Sequence, residues 1–282
     1  MASRIRMLAR NRSFQFLVAI ILIIVLMGAF GPYLVRHEPA GGGAKSESGL
    51  SPSREHLLGT QANGYDVLSR LVHATRQSTY VGLIVAVIAT LVAILIGGVG
   101  GYIGGLVDES TNMAANVFLL LPALPLVILL STQLGGRTLL AIGLIVVLVQ
   151  WAPWARAIRS QVLSLKERDF VDLAIVSGKG NMTILFKEIL PNMLAYIVIT
   201  FASIFASALI TVAGLSMVGF GPESLTLGRM LYLAQDNAAH LPPNIQWWWM
   251  MPPGIVLVVY AGTIISLVSV IDDVLNPRLR TY

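Results

Sequence analysis

The chain has 282 residues, 56% of them hydrophobic and only 12% charged, with a mean hydropathy of +0.77. A soluble domain carries about 25% charged residues, so this composition excludes a single water-facing globule and makes lipid the expected solvent. The absence of cysteine excludes disulfides, thiolate chemistry and cysteine metal sites, and the net charge of +5 fits basic membrane loops better than a nucleic-acid surface.

A helix needs about 20 apolar residues to cross the hydrocarbon core. Six stretches qualify, at 16–35, 80–105, 113–135, 138–157, 192–218 and 249–271, which predicts an all-α polytopic membrane protein with six transmembrane helices. Residues 1–35 hold the N-terminus and first span. The span follows Arg4, Arg6, Arg10 and Arg12. A basic start before an apolar run also suits a signal peptide, but the run is long and Gly28 to Tyr33 makes a poor cleavage site, which favours an uncleaved span. Residues 36–79 form an external loop. Ala40 to Ser53 is rich in Gly and Ser; Asn63-Gly64 signals a turn; Asp66 can N-cap a short amphipathic helix carrying Val67, Leu68, Leu71 and Val72. A five-helix core at 80–271 follows, with a loop at 156–191, and then a C-terminal tail at 272–282.

The spans contain no Asp, Glu, Lys or Arg apart from Arg156 at the edge of the fourth. Ion-coupled carriers normally bury such groups. Polar lining of a pathway could come from Asn116, Gln133, Gln150, Thr200, Ser203, Ser207 and Thr211, although residues of this kind more often join helices to one another. Gly97, Gly101 and Gly105, four apart, favour close helix packing. Trp247, Trp248 and Trp249 open the sixth span where an interfacial aromatic belt is expected. There is no G-x-x-x-x-G-K-[ST] loop, no H-E-x-x-H pair and no G-x-S-x-G elbow. The four histidines (37, 56, 73 and 240) have no ligand spacing. No catalytic, cofactor or metal site is expected, and energy for uphill work would come from another chain.

Six of the nineteen Lys and Arg residues sit in 156–191. Positive charge in a short loop resists translocation, so this loop is expected in the cytoplasm. With both termini on the same side, the cytoplasmic set holds twelve basic residues against seven outside. Within the loop, Ile158, Val162, Leu165, Phe170, Leu173 and Ala174 recur at helical spacing, Gly178 can end that helix, and Ile184, Leu185, Ile189 and Leu190 give a second apolar face before Pro191. Taken alone, these residues also suit an amphipathic loop lying on the membrane surface.

The pattern D-L-A-x3-G-x10-I-L-P from Asp172 to Pro191 resembles the "EAA" loop of inner-membrane ABC import permeases. HLLGTQANGYDVLSR (56–70) resembles the H-x-L-G-T-D-x-x-G-R-D-x-x-S-R stretch of the dipeptide/oligopeptide/nickel branch. GLSMVGFG (214–221) resembles the end of that family's fifth span, and DDVLNPRLR (272–280) its D-x-L-D-P-R-L-R ending. Departures are Asp172 for Glu, Leu173 for Ala, Gln61 for Asp, Tyr65 for Arg and Leu227 for Trp. The resemblance implies the type I ABC importer permease fold and a C-type subunit, paired with a related B-type permease. It also implies two cytoplasmic ATPases carrying ATP and Mg, and an external solute-binding protein. By the same resemblance the 156–191 loop docks on an ATPase, with Asp172, Leu173, Ala174, Val176, Gly178, Ile184, Ile189 and Pro191 as the coupling residues. A secondary carrier or a non-transporting assembly subunit remains as the alternative, and the substrate stays open among peptides, nickel complexes and oligosaccharides.

Overall fold

A computed structural model describes residues 8, 10–35, 47–133, 137–238 and 247–275. Arg4, Arg6, Lys45, His37, His240 and the tail pattern beyond Leu275 lie outside the described residues. The described chain is helical, with one isolated bridge between Thr60 and Asp66 in place of any strand. Helices dominate because hydrocarbon offers the backbone no hydrogen-bond partner, so each crossing segment must bond within itself.

Helix α1 spans Arg12–Leu34, N-capped by Asn11, whose side chain accepts from the Phe14 amide at 3.2 Å. Helix α2 runs for 37 residues, Val67–Ile103, with a π turn at Ile94–Gly98. It therefore begins thirteen residues before the expected span start at 80, and the amphipathic helix expected in the external loop is its first part. Asp66 is the N-cap, accepting from the Ser69 amide at 2.7 Å, while its second oxygen lies 2.9 Å from His56 Nδ1 in a buried pair. Asp66→Ala is expected to cost about 1–2 kcal/mol through the cap alone, read as a lower melting temperature of the detergent-solubilised protein.

Gly104 and Gly105, at φ 77° and 56°, end α2 and turn the chain into α3, Gly105–Leu120. This corrects the expected span limit at 105 and removes Gly105 from the glycine stripe. Gly97 and Gly101 do form the close approach expected of them. A Cβ at Gly97 would overlap the Ala155 carbonyl, and one at Gly101 would lie 3.1 Å from Arg159 Cγ.

The stretch expected as the third span is broken in two. Helix α3 and helix α4, Ala123–Gln133, meet at 90°. The cause is local: Leu121 precedes Pro122, and clash with the proline ring pushes it to an extended backbone at φ −83°, ψ 130°. Helix α5, Leu139–Lys166, outruns its expected end at 157. Two short helices follow: α6, Asp169–Val176, and α7, assembled from Asn181–Ile184, a π turn at Leu185–Ile189, and Leu190–Asn192. Helix α8 covers Leu194–Met217, α9 Leu227–Ala238 and α10 Trp247–Leu275.

The central packing is α2 against α5 and α8, around Val81, Val85, Ile142, Val146, Ile204, Leu209 and Tyr260. A second core, Ala152, Ala155, Ile158, Val162, Val171, Ala174, Ile184, Leu185 and Ile189, lies where α5 passes into α6 and α7; this is called the loop end below. A third, Val67, Leu71, Ala74, Leu227, Met230 and Trp248, closes the opposite end. Trp248 and Trp249 are buried there and only Trp247 is exposed, so the expected three-residue belt reduces to one residue. Trp248 lies against Gly59 and donates Nε1 to the Thr60 carbonyl at 3.4 Å, which ties α10 to the 47–66 segment.

Candidate functional site: the loop between α5 and α8

The expected single helix from Ile158 to Gly178 breaks at Glu167 and Arg168, where Arg168 is extended at φ −99°, ψ 144°. Asp169 and Asp172 sit in the first turn of α6, favourable near the positive end of a helix dipole. Helix α6 packs on α7, and Val171 and Ala174 join Ile158, Val162, Ile184, Leu185 and Ile189 in the loop-end core.

Gly178 closes α6 at φ 74°. Its amide donates to the Ile175 carbonyl at 2.9 Å and the Lys179 amide donates to the Ala174 carbonyl at 3.2 Å, which is the Schellman pattern. Nothing stands within 4 Å of a Cβ added there, so backbone conformation alone calls for glycine. Helix α7 then returns with Ile184, Leu185 and Ile189 fully buried, and Lys179 Nζ meets Glu188 Oε1 at 2.5 Å.

The expected coupling residues divide into two sets. Ala174, Ile184 and Ile189 face their own chain. Leu173 and Val176 are 68% and 87% exposed, joined on the surface by Ile175, Met182 and Phe186. Asp172 is exposed and Pro191 lies in the first turn of the last piece of α7. Sequence reasoning missed Ile175, Met182 and Phe186, because apolar residues occur on every side of these short helices and periodicity could not pick out the outer face. An exposed apolar cluster of this kind suits a protein partner or the membrane surface. The end of α5, from which the loop departs, is tied to α2 by Lys166 Nζ, which donates to the Tyr102 carbonyl at 2.7 Å, and to α3 by Arg159, whose Nε and Nη2 grip the two oxygens of Asp108, the latter at 2.6 Å.

The polar span residues do not converge. Gln150 Nε2 donates to Thr211 Oγ1 at 2.9 Å and Ser207 Oγ donates to Gln150 Oε1 at 3.3 Å, a cluster joining α5 to α8. Ser203 donates to the Ile199 carbonyl of its own helix at 2.9 Å, and Thr200 is buried. Asn116 Oδ1 accepts from Arg156, and Gln133 is exposed at the end of α4.

Residues 89–281 match the family model described as "Binding-protein-dependent transport system inner membrane component". The chain belongs to that family. A protein of Brucella abortus named as a peptide transport system permease is 30% identical over 278 residues, covering 98% of this chain and 91% of that one. The oligopeptide transport system permease OppC of Bacillus subtilis is 30% identical over 261 residues, covering 93% and 84%. The dipeptide transport system permease DppC of the same organism is 30% identical over 282 residues, covering 98% and 85%. The fold is therefore that of a type I ABC importer permease, and the subunit is of the C type. It is a multi-pass inner-membrane permease without catalytic machinery of its own.

Proposed function

We propose that this permease forms half of a heterodimeric pathway for peptides or similar small solutes. Its companions are a B-type permease, two ABC ATPases that hold the ATP and Mg, and an external solute-binding protein. The peptide assignment draws on the names of the relatives above. The observation that carries the coupling reading is the exposed cluster Leu173, Val176, Ile175, Met182 and Phe186, set on a loop whose inner face is buried. On this reading the cluster docks in a groove on an ATPase, with the loop end and both termini on the cytoplasmic side. Nucleotide-driven movement of the ATPases would then be delivered to α5 and α8, and the pathway would switch in proportion to the difference in binding between its two states.

The broken span supports the heterodimer. Within this chain α3 buries only Ala115, and α4 only Val127 and Ser131, leaving Leu106, Met113, Leu120, Leu124 and Leu129 uncovered. Asn116 and Gln133 lie on these same helices and are the pathway-lining candidates that keep exposure.

The chain has no cysteine, so Val176→Cys introduces a unique thiol. In the assembled complex it is expected to cross-link to a cysteine placed in the groove of the ATPase, whereas Ala174→Cys, buried, is expected not to. Equal cross-linking from both positions, or none from Val176→Cys, would remove the docking face. Gly178→Val is expected to strain the turn by about 1–2 kcal/mol or more and to lower ATP-driven uptake with membrane insertion intact. Wild-type uptake by this variant would count against the turn's role.

A further inference from the structure

Three basic side chains of α5 meet the neighbouring helices α2 and α3. Arg159 is held by both oxygens of Asp108, and Lys166 by the Tyr102 carbonyl. Arg156 meets only a neutral group: its Nη2 donates to Asn116 Oδ1. Among the described residues no carboxylate lies within ion-pair distance of it. Arg156 and Asn116 are both exposed, uncovered by the rest of this chain.

The bond to Asn116 also fixes the direction of the charge. The Asp108–Arg159 pair stands just after the Gly104–Gly105 turn and marks the level of the loop end. Asn116 is eight residues further along α3, about 12 Å beyond that level at 1.5 Å per residue. Arg156 is only three residues from Arg159, about 4.5 Å along α5. Its side chain therefore reaches away from the loop end, the direction in which Cα–Cβ bonds of α5 tilt. An arginine at the edge of a span normally turns the other way, toward the interface. A guanidinium aimed into the span, uncovered and without a counter-charge, faces water or protein rather than hydrocarbon. We propose that Arg156, positioned by Asn116, binds the terminal carboxylate of a transported peptide on the face shared by α3 and α5.

The donors select that chemistry. Guanidinium carries five N–H donors, and the bond to Asn116 is the one hydrogen bond that Arg156 makes among the described residues. Asn116 Nδ2 has no acceptor there either. Both groups thus present donors, and a carboxylate answers them with two oxygens and a charge. An ammonium would be repelled, and a neutral amide would leave Arg156 without a counter-charge. A linear peptide has one terminal carboxylate whatever its sequence, so a single fixed arginine serves a mixed set of substrates. Met113 and Leu120, one turn either side of Asn116, add exposed apolar surface.

The proposal rests on the importer reading, and the two fail in different ways. Proteoliposomes holding the complete complex are supplied with saturating peptide-loaded binding protein. Uptake is measured for trialanine and for trialanine amide, which lacks the carboxylate. Each variant's rate is divided by the wild-type rate for the same peptide, so that any preference of the binding protein cancels. Arg156→Gln is expected to lower trialanine uptake about tenfold, the scale of one lost charge-assisted hydrogen bond, and amide uptake less than twofold. Asn116→Asp supplies Arg156 with an internal carboxylate and is expected to give the same unequal loss. Arg156→Lys keeps the charge without the planar fork and is expected to lose less. Co-purification of the ATPases reports assembly. An equal loss for both peptides in an assembled complex makes Arg156 structural, or paired with a carboxylate of the companion permease, and overturns the proposal. Undiminished trialanine uptake by Arg156→Gln overturns it too. Should Arg156→Gln fail to assemble, Asn116→Asp decides by the same ratio. Wild-type uptake that ignores ATP would instead overturn the importer reading, and the acid-to-amide ratio is read independently of it.

Discussion

Replacing Leu173 and Val176 together with aspartate is expected to abolish ATP-driven uptake while leaving a folded, membrane-inserted protein. Both side chains are largely exposed, at 68% and 87%, so the change removes little internal packing. In a docked complex the same two positions would place carboxylates in an apolar groove. Truncated anchor residues typically cost about 2 kcal/mol or more, which corresponds to roughly thirtyfold weaker binding, and a buried unpaired charge costs further. Co-purification of the ATPases with the permease measures this directly. Val171→Asp is the contrasting variant. Val171 is fully buried in the loop-end core, where α6 packs on α7, so its replacement should detach α6 and expose the loop to protease. Normal ATPase retention by the Leu173 and Val176 double variant would mean that the docking face lies elsewhere.

Gly97→Val is expected to prevent the bundle from closing. The atom that a Cβ would strike is the backbone carbonyl of Ala155, which cannot rotate aside as a flexible side chain could. Overpacking a core typically costs about 1–3 kcal/mol, and a rigid backbone neighbour puts this site at or above the upper end. The site also lies in the π turn of α2, where α2 passes closest to the segment of α5 that leads into the loop. Gly98→Ala provides the control: its Cβ meets only Ile158 Cγ2 and Ile94 Cγ2, at 3.9 and 4.0 Å, which is ordinary contact. Gel filtration in detergent should show Gly97→Val aggregated and Gly98→Ala monodisperse. Two monodisperse profiles would show that α2 and α5 can separate at this point without loss of the fold.

Hydropathy located the five long apolar helices and the bent pair α3–α4 because lipid imposes a length and a composition that few other constraints produce. It could not place their ends. Helix α2 starts at Val67 because Asp66 caps it, yet Arg70 and Arg76 lowered the apolar signal of those first turns. The third span read as one segment because leucines flank its break on both sides. The signal of the bend was Pro122, through its effect on Leu121. Trp248 and Trp249 were misplaced for a related reason: an aromatic pair at a span end suits an interface or a core equally well, and only the packing of the 47–66 segment over Trp248 decided between them.

In the loop, the Asp172-to-Pro191 pattern identified the segment and Gly178 its turn. The pattern could not say which apolar residues turn inward. That depends on the break at Glu167–Arg168, which redirects α6 so that Val171 and Ala174 enter the loop-end core and Leu173 and Val176 stay exposed.

Uptake of a labelled peptide into proteoliposomes holding the permease pair and its two ATPases, supplied with the binding protein, tests the central claim most directly. A coupled importer accumulates peptide only when ATP is present on the ATPase side, and a catalytically dead ATPase or vanadate abolishes the accumulation. Undiminished uptake under those conditions would show that the 156–191 loop does not link this permease to ATP hydrolysis.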